Sequence, residues 1–201
     1  MKGRFSRREV KELVISIGVM SLAVAYTNDF MQTLFMFPFA LMILAPAFAL
    51  HEIGHKFAAQ KFGYKAEYQM WKNGLILALA MAVITTWFGS KFLFIAPGAV
   101  YFRSTLAHHG GKNEIGKIGF AGPLVNLGLV AVFGLIGILA PNQLLRILGS
   151  MGVYVNSFLA VFNLIPFGPL DGRKVLEWNR VYWGIALALG LAGLLWGGAL
   201  I

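Results

Sequence analysis

The sequence contains no cysteine and few charged residues. The absence of cysteine excludes disulfides, thiolate metal ligands and a cysteine nucleophile. Charged residues make up 12% of the 201-residue chain and hydrophobic residues 58%, against about 25% and 45–50% in soluble domains. A soluble protein of this size cannot bury so much apolar surface in one core, because its surface-to-volume ratio is too high. Disorder, a coiled coil and a nucleic-acid-binding module are therefore excluded, and a membrane protein is favoured.

Acidic residues are also scarce, with 8 Asp and Glu against 17 Lys and Arg, which gives a formal net charge of +9. The basic residues are dispersed between apolar segments rather than clustered. This distribution is typical of the loops of a polytopic membrane protein, so we expect a lipid bilayer as partner and no nucleic acid.

Five apolar segments predict membrane-spanning helices. They cover residues 13–27, 33–60, 118–140, 147–167 and 181–201. The first is short, and the other four approach or exceed the roughly 20 residues that cross a bilayer. No repeat, linker or low-complexity tract divides the chain. We therefore predict an all-α polytopic membrane protein with about five full transmembrane helices, folded as a single membrane-embedded domain over residues 1–201.

A further apolar segment, residues 74–103, is broken by a turn at 89–91 and by Pro97-Gly98. It forms either a sixth crossing at 75–88 or a hairpin that enters and leaves on one side. Without the crossing, sixteen of the 17 basic residues lie on the cytoplasmic side, whereas a crossing gives ten against seven. The positive-inside rule favours the hairpin. We predict a re-entrant helix/β element, with a short helix followed by a strand over 92–102, and a cytoplasmic N-terminus.

The sequence HEIGH at residues 51–55 carries the strongest functional signal. Residues four apart lie on one face of a helix, so His51 and His55 can bind one metal ion, as in zinc hydrolases. Glu52 lies beside them, where it can contact an attacking water without being a ligand. Such groups near the end of an apolar segment cost several kcal/mol unless they are paired or ligated. We predict one Zn2+ per chain; the alternative is a polar cluster solvated at the helix end.

Zinc at a catalytic site needs a third protein ligand and an open position for water. Among the eight acidic residues, Asp171 alone directly follows a predicted span and lies at the depth of the HEIGH motif in the favoured topology. Glu9 and Glu12 fall in the basic N-terminal flank. The His108-His109 pair could also bind metal, but a histidine pair in a glycine-rich loop is more often solvated.

Two asparagines, Asn126 and Asn163, fall at compatible depth within the predicted spans. Each has two possible roles. One is hydrogen bonding between helices, which is common in membranes. The other is donation to a substrate carbonyl or to a developing oxyanion.

Three motifs in this order resemble the site-2 protease family of intramembrane zinc metalloproteases. HEIGH at 51–55 matches the family's HExxH, GPLVN at 122–126 matches G-x-x-x-N, and NLIPFGPLDG at 163–172 matches N-x-x-P-x-x-x-x-D-G. The resemblance covers a core of about residues 35–174. Unlike many members, the chain carries no PDZ domain and no CBS domain.

The resemblance implies a metal site and a mechanism. His51, His55 and Asp171 are expected to bind zinc, Glu52 to act as the catalytic base, and Asn126 to stabilise the oxyanion. It also implies a site that faces the cytoplasm and a membrane-associated β element between the first two core helices. The expected substrate is a transmembrane protein, cleaved in or near its membrane span by regulated intramembrane proteolysis.

Three alternatives to an intramembrane protease predict different sequence features. A non-proteolytic relative with a structural zinc would not need a base such as Glu52. A transporter using the same polar residues would be expected to show an inverted repeat, and none is seen. The third alternative is the other class of membrane HExxH proteases, which process prenylated C-termini. Their third ligand would be a glutamate on a later helix, and no second acid lies at that depth here.

The charge distribution predicts the topology of two reporter fusions. A reporter fused after Lys112 should be cytoplasmic, and one fused after residue 201 should be external, because this arrangement leaves only Arg146 outside. Paired alkaline phosphatase and green fluorescent protein fusions at both points measure this. The opposite result at the two points would show that residues 75–88 cross the membrane.

Overall fold

The computed structural model describes residues 5–90, 97–104 and 111–199. Within these ranges the chain is mostly helical, with one small sheet of two paired strands. The elements in chain order are α1 (Arg7–Ala25), α2 (Phe30–Lys61), β1 (Tyr64–Met70), α3 (Lys72–Trp87), β2 (Gly98–Ser104), α4 (Lys112–Leu139), α5 (Gln143–Leu164), α6 (Asp171–Trp178) and α7 (Arg180–Ala199). Helices α2, α4, α5 and α7 are long and apolar enough to cross a membrane.

These four helices correspond to the four longer predicted spans. The fifth, 13–27, falls in α1, which begins at Arg7 and has 19 residues. Its first turns carry five charged residues, so its uncharged part runs only from residue 13 to residue 25. That is shorter than the roughly 20 residues a crossing needs. The fifth crossing therefore stays a prediction, while the predicted helical fold is confirmed and the other four helices have the length and composition of membrane spans.

Helix α2 continues through two prolines, Pro38 and Pro46, over 32 residues. Proline removes one backbone hydrogen bond and often ends a helix in water. Within a membrane a helix is the segment's main way to pair its remaining backbone groups, so proline is tolerated there. At 1.5 Å per residue, α2 is about 48 Å long, which exceeds the roughly 30 Å of the hydrocarbon core.

The predicted helix/β element between the first two core helices is present as α3 and β2. Helix α3 has 16 residues, about 24 Å, which is short of the hydrocarbon thickness. Strand β2 begins at Gly98, and the first part of the predicted strand, 92–96, lies outside the described residues. Its partner β1 was not predicted. Strand β1 shows alternate burial over Tyr64–Met70, with tyrosine and alanine inward and lysine and glutamate outward.

The chain divides into two compact units. Unit 1 comprises Met1–Ala49 and Ala66–Tyr101, and unit 2 comprises Leu50–Lys65 and Phe102–Ile201. The predicted zinc ligands, the predicted base and Asn126 all belong to unit 2.

In unit 1, two glutamates of α1 bind the backbone of β1. Glu9 Oε1 accepts from the amide of Tyr68 at 3.0 Å, and Glu12 Oε2 accepts from the amide of Met70 at 2.9 Å. Glu9 also closes a capping box with Ser6 at the start of α1 and is only 2% exposed. Glu9 and Glu12, which lie in the basic N-terminal flank as predicted, therefore also bind the sheet, and that contact was not predicted. Their carboxylates satisfy two backbone amides of β1.

In unit 2, α4, α5, α6 and α7 pack around a small apolar core. Leu164, Val175 and Ala186 are buried at its centre. The indole of Trp183 donates to the carbonyl of Leu164 at 2.7 Å, which satisfies one of the carbonyls left open at the end of α5. The outward faces of these helices expose large apolar side chains such as Leu139 and Leu195, as expected of surfaces that contact lipid.

Removing the Glu9 carboxylate should destabilise the protein without touching the metal ligands. Glu9→Ala leaves the buried amide of Tyr68 without its acceptor and removes one of the two hydrogen bonds of the capping box, from Ser6 N to the Glu9 carboxylate, so the free energy of unfolding should fall by about 1–3 kcal/mol. Denaturant titration of the detergent-solubilised protein measures this. The control is Glu67→Ala at an exposed position of β1, which should change stability by less than about 0.5 kcal/mol. Equal effects of the two substitutions would contradict the assignment.

Candidate metal centre

The three predicted ligands meet at one point. His51 and His55 lie on successive turns of α2, and Asp171 is the first residue of α6. All three are buried. Nε2 of His55 lies 3.0 Å from Nε2 of His51 and 2.9 Å from Oδ2 of Asp171, and His51 Nε2 lies 3.7 Å from the same oxygen. The group therefore offers two nitrogens and one oxygen to a single ion.

These spacings fit a tetrahedral zinc site. Two atoms that are each about 2.05 Å from one ion, at a tetrahedral angle, lie about 3.3 Å apart. The three observed separations of 2.9, 3.0 and 3.7 Å bracket that value. Two imidazoles and one carboxylate also match the donor set of catalytic zinc, which leaves a fourth position for water.

The hydrogen bonds of the two imidazoles direct Nε2 toward the ion. Nδ1 of His55 lies 2.8 Å from the carbonyl oxygen of Ile118, and Nδ1 of His51 lies 2.5 Å from Oδ1 of Asn126. A carbonyl oxygen only accepts hydrogen bonds, so each Nδ1 carries the proton. Each Nε2 therefore presents a lone pair, as a metal ligand requires.

Glycines of α2 and α4 make room for this arrangement. A Cβ at Gly54 would lie 2.9 Å from Cγ2 of Val125 and 3.1 Å from the carbonyl oxygen of Ala121, so the absent side chain lets the two helices approach. A Cβ at Gly122 would lie 2.6 Å from Nε2 of His51 and closer still to Nε2 of His55. Gly122 therefore keeps open the space beside the two Nε2 atoms in which an ion would be held.

The third ligand is fixed by its own helix. Lys174, one turn after Asp171, donates from Nζ to Oδ1 at 2.9 Å. The ammonium favours the charged form of the carboxyl group and occupies Oδ1, so Oδ2 faces the histidines as a single ligand atom. Gly172 has an ordinary negative φ, so no unusual backbone angle requires glycine at this position. Its role is a close approach, because a Cβ there would overlap the carbonyl of Leu164.

The structure brings the predicted site residues together, with one exception. Glu52 is buried on α2 directly after His51, and Asn126 is fully buried against His51. Asn163 instead donates to the carbonyl of Leu159 within its own helix, at 2.9 Å. His108 and His109 lie outside the described residues.

Two residues at the site were not predicted, Asn156 and Lys174. Asn156 on α5 is fully buried and accepts from Nδ2 of Asn126 at 3.0 Å. A polar residue inside an apolar segment was the available signal, and it did not distinguish Asn156 from the other polar residues of that segment. Lys174 follows Asp171 by three residues, a spacing that allows contact on a helix.

A single methyl group at Gly122 should abolish metal binding. The imidazoles cannot yield, because both are held at Nδ1, so Gly122→Ala should lose most of its zinc while circular dichroism shows an unchanged helix content. Metal content after dialysis measures this. The control is Gly128→Ala on the same helix, where a Cβ would meet nothing within 4 Å. A zinc-loaded Gly122→Ala protein would contradict the placement of the ion.

Comparison with known proteins agrees with this site. The chain is 38% identical over 184 residues to a Methanocaldococcus jannaschii protein provisionally named zinc metalloprotease MJ0611, and the match covers 90% of each chain. It is 28% identical over 170 residues to zinc metalloprotease MJ0392 of the same organism, covering 82% of this chain and 38% of that protein.

A third relative is Rip3 of Mycobacterium tuberculosis, also provisionally named a zinc metalloprotease. It is 29% identical over 162 residues, which cover 76% of this chain and 34% of that protein. No family model and no solved structure matches the chain. The length and identity of the first match, together with the three motifs, lead to one conclusion. The chain belongs to the site-2 protease family of membrane zinc metalloproteases, with Zn2+ as its cofactor.

Proposed function

We propose that the protein hydrolyses peptide bonds in or near the transmembrane segments of membrane proteins, as a step of regulated intramembrane proteolysis. The observation that carries this proposal is the convergence of two imidazoles and one carboxylate on helices of an apolar bundle. A hydrolytic site buried among such helices favours substrates that lie in the membrane themselves.

His51, His55 and Asp171 are proposed to hold the zinc. When bound, zinc supplies a Lewis acid that polarises the scissile carbonyl and makes water a better nucleophile. Glu52, adjacent to the ligands and shielded from bulk water, takes the proton from the attacking water and later delivers it to the leaving amine. For Asn126 we propose that the second hydrogen of Nδ2, the one not directed to Asn156, is donated to the oxyanion that develops on the carbonyl.

The N-terminus is proposed to be cytoplasmic and the active site to face the cytoplasmic side. The support is the positive-inside rule, because with residues 75–88 not crossing, this orientation leaves only Arg146 among the basic residues on the other side. In this orientation the motif at the end of α2 and the ligand at the start of α6 lie near the same surface, where water can reach them.

A helical substrate must unwind before it is cleaved, because its peptide groups are paired internally. We propose that an unwound segment extends the sheet by pairing with β2. In β1, the amides of Tyr68 and Met70 already donate to the carboxylates of Glu9 and Glu12. These amides are therefore not available to a substrate strand, and β2 is the better candidate to pair with one.

Glu52→Gln should abolish hydrolysis and leave zinc binding intact. The substitution keeps the shape of the side chain and removes only the proton acceptor, so turnover should fall by at least about 10²-fold. The assay is cleavage of a panel of single-span membrane proteins by the purified protein, with and without a chelator. Zinc content is measured in parallel.

The matched control is Glu177→Gln, an exposed glutamate of α6 that pairs with Arg173. It should retain full activity. Turnover by Glu52→Gln close to that of the wild type would show that Glu52 is not the base. Cleavage that persists after the chelator has removed zinc would overturn the metalloprotease mechanism itself.

A further inference from the structure

We propose that Asn156 is a positioning residue for zinc binding, acting on His51 through Asn126. The proposal rests on the assignment of His51 as a zinc ligand under the proposed function. Three hydrogen bonds in series carry it. Asn156 Nδ2 donates to the carbonyl of Gly152 at 2.8 Å, Asn126 Nδ2 donates to Asn156 Oδ1 at 3.0 Å, and His51 Nδ1 donates to Asn126 Oδ1 at 2.5 Å.

The direction of this series is fixed at its far end. The carbonyl oxygen of Gly152 has no hydrogen, so the amide nitrogen of Asn156 must face it. The oxygen of Asn156 then faces Asn126 and must accept, which turns the nitrogen of Asn126 toward it. Oδ1 of Asn126 is thereby left to accept from His51, and Nδ1 of His51 must carry the proton.

This order matters because an asparagine amide has two orientations that are nearly equal in shape. If Asn126 turned by 180°, its nitrogen would face Nδ1 of His51. The imidazole would then accept at Nδ1 and carry its proton on Nε2, where it could not bind metal. The bond to Asn156 disfavours that orientation, because it would place two oxygens against each other.

The tautomer of the second histidine, His55, does not depend on a side-chain amide. His55 donates from Nδ1 to the backbone carbonyl of Ile118, a group that cannot turn within a helix. Its tautomer is set by the main chain. His51 is held by a side-chain amide, so its tautomer depends on a further partner. His55 therefore serves as an internal reference for any effect that is specific to His51.

Because both asparagines are buried, water cannot substitute for a partner in this series of hydrogen bonds. Asn126 and Asn156 are both 0% exposed. A purely structural role, in which the two amides join α4 to α5, would be indifferent to which atom of Asn126 faces His51. The two roles therefore differ in their effect on the tautomer of His51.

The first test is Asn156→Leu in the full-length protein, with Ser157→Ala as the matched control. Ser157 is the next residue of α5 and equally buried, and its hydroxyl has no partner among the described residues. Competition with a chelator should show that zinc binds about tenfold more weakly to Asn156→Leu and with unchanged affinity to Ser157→Ala. Asn156→Ala replaces the leucine variant if that variant does not fold.

The tautomers are read directly by nitrogen NMR. The chain has 4 histidines, so labelling them with 15N gives a spectrum that can be assigned by single substitutions. In the zinc-free full-length protein, His51 should carry its proton on Nδ1 in the wild type and partly on Nε2 in Asn156→Leu. His55 should stay on Nδ1 in both. An equal change at the two histidines, or none at His51, would overturn the proposal.

A second substitution should make Asn156 dispensable. In Asn126→Asp, both carboxylate oxygens accept, so the proton of His51 stays on Nδ1 in either orientation, and the other oxygen now opposes Oδ1 of Asn156. Adding Asn156→Leu to this variant removes that repulsion and should cost no further zinc affinity. A further tenfold loss would show that Asn156 acts through packing alone. Because these readouts need no substrate, they are separate from the cleavage assay, and a failure of the proteolytic proposal leaves them interpretable.

Discussion

The zinc site depends on one constraint, which is that every polar group behind the ligands must find its partner inside the protein. Water is scarce between apolar helices, and an unpaired buried group costs free energy comparable to a lost hydrogen bond. The Nδ1 proton of each ligand imidazole is therefore connected to a backbone carbonyl by one or more hydrogen bonds. His55 reaches the carbonyl of Ile118 directly, and His51 reaches that of Gly152 through two asparagines. The metal site thus extends from α2 across α4 into α5.

Close contact between backbones is what makes these bonds possible. Gly54 lets α2 approach α4, Gly122 leaves space at the ligand atoms, and Gly172 lets the start of α6 lie against the end of α5. Each glycine is needed for proximity rather than for an unusual backbone angle, since none of the three has a positive φ. All three lie inside the motifs that carry the chemistry, so the motifs specify helix contact as well as ligands.

Much of the site could be predicted from the sequence. The spacing of His51 and His55 identifies a ligand pair from helical geometry alone, and Asp171 follows because so few acidic residues are available. The apolar segments of α2, α4, α5 and α7 are long enough to be recognised without tertiary information. These signals are either local in the sequence or depend on the small number of acidic residues.

The features that could not be predicted depend on contacts between distant residues. Glu9 was assigned only to the basic N-terminal flank, because nothing near it in the sequence indicates that it accepts from a strand amide 59 residues later. Asn156 looks like any polar residue in an apolar segment until its contact with Asn126 gives its amide a direction. Strand β1 is an exception, because its alternating pattern is local to residues 64–70 and was nevertheless not recognised.

The position of Asp171 has a consequence for the stability of the fold. The ligands lie at residues 51 and 171, so one bound ion joins parts of the chain that are 120 residues apart. An ion held in the folded state but not in the unfolded state restricts the chain as a disulfide does, and it stabilises the fold in proportion to the logarithm of the metal concentration. In a protein without cysteine, which cannot form disulfides, coordination of zinc would be the only cross-link between α2 and α6 among the described residues. Its catalytic cofactor would then also act as a cross-link.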